Sequence, residues 1–365
     1  MQNKNIKIAI LVSSLANGGA ERTSALLSKM LSNLGYDIHI ISILNAIDYP
    51  FEGKLLNLGA LKDENDSLLG RFNRLKVMKA YLDTHHFDLI IDSRSRPVLL
   101  KEIGIKRLIY KDYKVLYLVH SSKLDLYLPK SKNALPLMFK PEDHFVCVST
   151  SIAREVKEKY ALQNVSTIHN AVDVVNNKLD AKDDISIEDE FVLYFGRLVD
   201  KVKNVSLLID AYHLSKLKSR NVKLVILGDG VDKDDLEKKV RNLKLSQHVL
   251  FLPYTKNPFP YIKRAKFTLL TSKYEGFPMV IMESLSVGTP VISVDLPSSK
   301  EVLKDGYNGS LITNHDVRSL AEAMDKFILD KGAYDACKKN AEGSVEEFSI
   351  ANISKKWEAL LQEIL

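Results

Sequence analysis

The run Phe267-Thr268-Leu269-Leu270-Thr271, then Tyr274-Glu275-Gly276-Phe277-Pro278-Met279-Val280-Ile281-Met282-Glu283, then Gly288-Thr289-Pro290-Val291-Ile292, decides the fold class. The first run reads as a strand buried on both faces. A helix is expected over 278–287, because proline suits the first helical turn and Gly288, with Pro290 beyond it, suits the stop. A second buried strand is expected over 290–294. Strand, helix and strand in this order make one unit of a parallel sheet. Val280, Ile281, Met282 and Leu285 cover most of the helix surface, so the helix is buried nearly all round. Glu283 points between Met279 and Val287 on it. A buried carboxylate needs partners, because an unpaired buried charge is costly. Hydroxyl groups of a ligand would serve. With Glu275 in the loop before the helix, the pair marks a site for a polyhydroxylated molecule at the carboxyl edge of a sheet.

The same alternation extends outward in both directions. Toward the amino terminus, strands are expected over 6–12, 37–43, 87–91, 114–119 and 144–148, with an amphipathic helix over 20–34. Around the deciding stretch, strands are expected over 191–195, 222–227 and 249–252, and helices over 204–218, 233–243 and 259–265. A last helix carries Ile353, Trp357, Leu360, Leu361 and Ile364 on one stripe. Strands separated by helices imply doubly wound α/β domains. The polar stretch 174–190 interrupts the pattern and reads as a linker. The expected layout is a first domain over 1–173, a second over 191–345, and a carboxyl-terminal helix over 346–365 packing back on the first domain. The two domains are expected to face each other across a cleft, with ligands outside the carboxyl ends of the strands.

The chain has 365 residues, enough for two cores, and 45% apolar residues, ordinary for a globular protein. Its two cysteines, Cys147 and Cys337, lack metal-ligand spacing and point to a reducing compartment. The opening residues do not read as a signal peptide, and no apolar run is long enough to span a membrane. Together these favour a cytoplasmic location. The formal net charge is +6. Residues 1–180 hold 25 Lys/Arg against 19 Asp/Glu, while residues 181–365 hold 27 of each. The basic excess thus lies in the first half and is densest from Arg71 to Lys114. It reads equally as a face for an anionic bilayer or phosphorylated acceptor and as a solvated helix face. Nucleic acid is not expected as a partner.

Several residues carry candidate chemistry. Gly18 and Gly19 open a helix, where free N–H groups and the helix dipole favour an anion. By position alone they read more readily as a tight turn, and the glycine spacing is not that of a dinucleotide site. Gly196-Arg197 closes the strand at 191–195, with Lys201 and Lys203 close behind, a plausible diphosphate clamp. His120 ends the strand at 114–119, where it suits a bond to a substrate hydroxyl, a proton transfer, or a cap. Neither a metal cluster nor an Asp-x-Asp pair is found, so no metal is expected and a cationic clamp stands in its place.

Taken together these residues resemble the retaining glycosyltransferases of family 4, which have the two-domain GT-B fold. The strongest match is Glu275-Gly276-Phe277-Pro278 with Glu283-Ser284-Leu285, two glutamates flanking seven residues. Gly18-Gly19-Ala20-Glu21-Arg22, His169-Asn170-Ala171-Val172-Asp173, Gly196-Arg197-Leu198, Gly228-Asp229-Gly230 and Asp305-Gly306-Tyr307-Asn308-Gly309 support it by order and spacing.

The resemblance implies a donor diphosphate held by Arg197 and Lys203, with Lys201 as the rival lysine. It implies ribose hydroxyls on Glu283, and the donor sugar against Glu275 and the backbone of Gly276, Phe277 and Pro278. Gly18 and Gly19 would approach the phosphates or the acceptor, His120 the reacting sugar, and the base would stack near Pro253-Tyr254. Asp92-Ser93-Arg94-Ser95-Arg96-Pro97 matches nothing general in the family. Its Arg94 and Arg96 are candidate contacts for an acceptor phosphate, against an equally good structural reading. The implied reaction is a metal-independent hexosyl transfer with retention. The donor is a nucleotide sugar, UDP ahead of GDP and ADP, and no cofactor is needed. The acceptor is a glycan or lipid-linked saccharide of bacterial envelope synthesis, and the enzyme would lie against the inner membrane face. A nucleotide-sugar epimerase and a non-catalytic glycan-binding module are the alternatives.

Overall fold

A computed structural model describes residues 6–16, 18–313 and 315–365. Two compact units emerge. One holds the residues up to Ala171 together with Ile350–Leu365, and the other is Val172–Ser349.

The first unit contains β1 (Lys7–Val12), β2 (Asp37–Ser42), β3 (Lys54–Asn57), β4 (Leu89–Asp92), β5 (Val115–Val119), β6 (His144–Cys147) and β7 (Val165–Thr167). They form a seven-stranded sheet in the order β3-β2-β1-β4-β5-β6-β7. Every pairing is parallel, as in Ile10 opposite Ile40 on one side and Ile91 on the other. Burial on both faces explains the unbroken apolar runs, and Ile8 through Leu11 are wholly enclosed. The helix Gly19–Asn33 packs Ala25, Leu27, Met30 and Leu31 into this core. The terminal helix Ile350–Ile364 adds Ile353, Trp357, Leu360 and Leu361 to the same cluster. Each such large apolar side chain contributes about 1.5–3 kcal/mol when buried, before entropy is counted.

The second unit contains β8 (Phe191–Phe195), β9 (Lys223–Leu227), β10 (Val249–Leu252), β11 (Thr268–Leu270), β12 (Val291–Val294) and β13 (Gly309–Ile312). They form a parallel six-stranded sheet in the order β10-β9-β8-β11-β12-β13. Two doubly wound parallel α/β units of this kind are the building blocks of the GT-B fold.

Strand order reverses once in each sheet, between β1 and β4 and between β8 and β11. Loops diverge at such a point, and open α/β sheets bind ligands there, beyond the carboxyl strand ends. Gly18 follows β1, Ser93 follows β4, Arg197 follows β8 and Glu275 follows β11. His120 follows β5, next to β4.

Some elements differ from the expectation. The edge strand β3, half exposed, and β7, three residues long, carry too little apolar signal to be read. The same holds for β13, which begins inside a glycine-rich motif. The helix expected over 204–218 is Val205–Leu214, and an unexpected short helix, Asp200–Lys203, precedes it, the two joined at Asn204 with φ 52°. Asparagine tolerates that left-handed geometry. Pro278 caps the helix Met279–Ser286 and does not lie in its first turn. Within the expected linker, Val174–Asp180 is helical, with the Asp173 side chain capping it. Asn177 Nδ2 donates to Ser286 Oγ at 3.0 Å, which docks this helix on Met279–Ser286.

Candidate functional site

In the second unit the site is built on two interlocked loops. Gly196 ends β8 and Gly228 ends β9, both with φ 145°. A Cβ on Gly228 would run into the Gly196 carbonyl, and one on Gly230 into that of Leu198. This closeness permits Leu198 N–H to donate to Asp229 O at 2.9 Å and Asp232 N–H to Leu198 O at 3.2 Å. Asp232 Oδ2 accepts from Asp200 N–H at 2.7 Å, and Asp200 Oδ1 from Ser206 N–H at 2.8 Å. From within the sheet, Tyr194 donates its hydroxyl to Arg197 O at 3.0 Å. The Arg197 backbone is therefore fixed from both sides. Its guanidinium is exposed and ion-paired to none of the described residues.

Lys203 sits one helical turn beyond that loop and is fastened to the loop after β11. Thr271 Oγ1 donates to Lys203 O at 2.9 Å, and Lys273 N–H to Val202 O at 2.8 Å. Lys203 Nζ then donates to Glu275 Oε1 at 2.6 Å, with the side chains 20% and 16% exposed. Two residues 72 positions apart, expected to serve diphosphate and sugar, thus meet at the switch point. Lys201 is exposed, and Lys203 is the lysine that meets Glu275. Electrostatics tie the group together. Burial raises the Tyr194 hydroxyl pKa well above its ordinary value, Glu275 and Asp200 raise it further, and Arg197 opposes them.

Gly276, Phe277 and Pro278 are buried, with the Phe277 ring 5.5 Å from that of Phe348. Glu283 is 6% exposed in its helix, as the apolar pattern requires. Ser284 accepts from Thr268 Oγ1 at 2.8 Å and donates to Thr289 O at 2.9 Å, so a hydroxyl is accommodated in that packed core. Asp229 contributes something the sequence did not single out. Its Oδ2 accepts from Tyr254 N–H at 2.7 Å, and Lys233 Nζ lies 3.1 Å from Oδ1. The bond from Tyr254 and then Lys233 hold its carboxyl below the usual range. Asp229 thereby fixes the loop bearing Tyr254, whose ring is about half exposed.

In the first unit, Gly18 precedes the helix Gly19–Asn33 with extended backbone. A Cβ there would meet only the Glu21 carboxylate, the movable end of a flexible side chain, so neither space nor backbone geometry requires glycine at this position. Asn17, between the loop and this cap, lies outside the described residues. Ser24 on the helix bonds Ser93 after β4, Oγ to Oγ at 2.6 Å, and Ser93 Oγ lies 2.8 Å from His120 Nε2.

Arg94 and Arg96, the candidate acceptor contacts, lie inside the first unit and not on an open face. Both are buried, 3% and 2% exposed. Arg94 grips Asp92 through Nε at 3.0 Å and Nη2 at 2.6 Å, and Nη2 also reaches Glu102 at 3.2 Å. Tyr110 donates to Asp92 Oδ2 at 2.9 Å. Arg96 donates to the carbonyls of Asp92, Arg94, Leu118 and Tyr127 and lies over the rings of Tyr117 and Tyr127. Two cations and two carboxylates balance inside the fold. Burial pushes the Asp92 pKa up, but Arg94 and Arg96 more than offset it and hold it low. Nε and Nη2 of Arg94 and all three guanidinium nitrogens of Arg96 are thus engaged by groups of the fold itself.

Among the described residues no group of three or more His, Cys, Asp or Glu side chains has metal-holding geometry. No described helix is long and apolar enough to cross a membrane.

Residues 17–176 match the family described as Glycosyltransferase Family 4, and residues 175–344 the family described as Glycosyl transferases group 1. A Campylobacter jejuni relative, N-acetylgalactosamine-N,N'-diacetylbacillosaminyl-diphospho-undecaprenol 4-alpha-N-acetylgalactosaminyltransferase, is 28% identical over 96% of this chain and 97% of its own. A second protein of that organism, GalNAc-alpha-(1->4)-GalNAc-alpha-(1->3)-diNAcBac-PP-undecaprenol alpha-1,4-N-acetyl-D-galactosaminyltransferase, is 27% identical over 98% and 99%. Among solved structures, Anabaena HepE in complex with UDP and glucose aligns with TM-score 0.75 at 19% identity, covering 98% of this chain and all of its own.

Proposed function

Since the chain belongs to glycosyltransferase family 4, and is a glycosyltransferase and not an epimerase or a binding module, we propose that it moves a hexosyl group from a UDP-sugar to a hydroxyl of a lipid-linked saccharide, with retention and without a metal. The Lys203–Glu275 pair beside the Arg197 loop carries this reading, because it joins a cation for phosphate to a carboxylate for sugar hydroxyls. As the bond from the anomeric carbon to the diphosphate breaks, negative charge grows on the leaving group. Arg197 and Lys203 stabilise that charge, each contributing ~3 kcal/mol, on the order of a hundredfold in rate. Glu275 and the backbone of Gly276, Phe277 and Pro278 hold the sugar. Glu283 takes the ribose hydroxyls, and the base lies near Tyr254. Gly18 and Gly19 offer helix N–H groups to an anion, and His120 offers its ring to a sugar hydroxyl.

The donor assignment draws support from HepE, solved with UDP and glucose, and the acceptor assignment from the undecaprenol-linked substrates named for the two Campylobacter proteins. A peripheral, cytoplasmic-face membrane contact follows from the same acceptor class. It is supported by the basic first half and by Leu68, Leu69 and Phe72, all more than 70% exposed around Arg71. Salt-sensitive flotation with anionic vesicles tests the contact, and no flotation at low salt refutes it. The reaction is tested by UDP release from a panel of UDP-sugars with and without undecaprenyl-diphosphate saccharides. Release that depends on the acceptor, unaffected by EDTA, is expected. Sugar isomerisation without acceptor contradicts it.

A further inference from the structure

The chain Ser24–Ser93–His120 has a direction set by its far end. Ser24 Oγ lies 2.9 Å from the carbonyl oxygen of Ala20, which has no proton to give. Ser24 therefore spends its one proton on that carbonyl. Its 2.6 Å contact with Ser93 then takes the Ser93 proton. The 2.8 Å contact between Ser93 Oγ and His120 Nε2 is left without a proton unless the ring supplies it. Three contacts and three protons close only with hydrogen on Nε2. His120 Nδ1 is then a bare lone pair, and it is buried with no hydrogen-bond partner among the described residues.

We propose that Ser24 and Ser93 are positioning residues that lock His120 in the Nε2–H tautomer, presenting Nδ1 as an acceptor for a ligand hydroxyl. A buried nitrogen without a partner is costly in the free protein, so a hydroxyl donor is what the site lacks. The surroundings keep the ring neutral. Burial, and after it the Arg96 guanidinium, lower the His120 pKa to about 3. Tyr127 is the other polar ring nearby, at 6.4 Å, and Glu21 acts on Tyr127. Nδ1 is therefore a poor proton acceptor but a sound hydrogen-bond acceptor. The segment that resembled nothing general in the family gains a role here. Ser93 holds the ring, while Arg96 ties the Leu118 and Tyr127 carbonyls on either side of His120. The inference rests on the reading that a hydroxylated sugar binds at this sheet edge.

Long-range proton–nitrogen NMR of His120 in the free protein, with steady-state kinetics for Ser93→Ala and Ser93→Thr, tests it. Wild type is expected to show the Nε2–H form alone. Ser93→Ala should mix the tautomers and lower kcat/KM roughly fivefold, the worth of one neutral hydrogen bond, and Ser93→Thr should restore both. The kcat/KM profile should show no His120 ionisation between about pH 5 and 8. A wild-type Nδ1–H ring, or a Ser93→Ala variant with mixed tautomers and unchanged kcat/KM, overturns the proposal. An Nε2–H ring in a protein that transfers from no UDP-sugar supports the lock and overturns the proposed reaction.

Discussion

Replacing Lys203 by alanine separates catalysis from stability. The ammonium lies 2.6 Å from Glu275 Oε1. At an effective dielectric of about 20, two unit charges at that distance attract by roughly 6 kcal/mol, most of it offset by the water both groups give up. The side chains keep 20% and 16% of their exposure, which lowers the net worth to about 1 kcal/mol. A loss of that size moves the melting temperature of a unit this large by about 2–4 °C. Turnover should suffer far more, falling on the order of a hundredfold as a fixed charge at the leaving diphosphate disappears. Glu275→Gln is the control for the ion pair, since it should cost the same stability while leaving the ammonium in place. The assay is UDP release at saturating donor and acceptor, alongside thermal unfolding. A Lys203→Ala enzyme within about threefold of wild-type kcat, with Lys201→Ala the impaired variant, refutes the reasoning.

Three further outcomes are expected. Arg94→Ala leaves Glu102 buried without its cation and Asp92 with Arg96 alone, so denaturant unfolding should report a loss of about 3–5 kcal/mol. Gly228→Ala forces a side chain into the Gly196 carbonyl at φ 145°, so UDP affinity should fall together with stability, by more than ~1 kcal/mol in unfolding. His120 has an ordinary pKa of 6.5 and a folded value of about 3. Its contribution to stability is therefore intact above 6.5 and is lost as pH falls toward 3. Unfolding midpoints of wild type should drop across that window more steeply than those of His120→Gln.

The sequence made the buried architecture legible where burial dictates composition. β8 and β10 were read to the residue, and the helix Met279–Ser286 to within its ends, because enclosed elements admit few residue types. Half-exposed β3 has no such constraint and left no readable pattern. The polar stretch after Asp173 concealed a helix because most of its surface faces water, and only Asn177 is buried. At the site, residues close in sequence were legible and pairings across loops were not. Arg94 and Arg96 read as ligand contacts or structural groups alike, because apart from Asp92 their partners Glu102, Tyr110, Leu118 and Tyr127 lie 8 to 31 residues away. Ser93 was silent for the same reason, since its partner His120 lies on the next strand end. Gly228-Asp229-Gly230 was visible as a motif, but its purpose, room for the Arg197 loop, appears only in three dimensions.

Where the leaving diphosphate is held decides the proposed chemistry, and a crystal structure with UDP bound measures it directly. Arg197 nitrogens and Lys203 Nζ are expected within about 2.7–2.9 Å of diphosphate oxygens, the range of charge-assisted hydrogen bonds. UDP seated with its diphosphate away from both cations, and the Lys203–Glu275 pair untouched, would contradict the account.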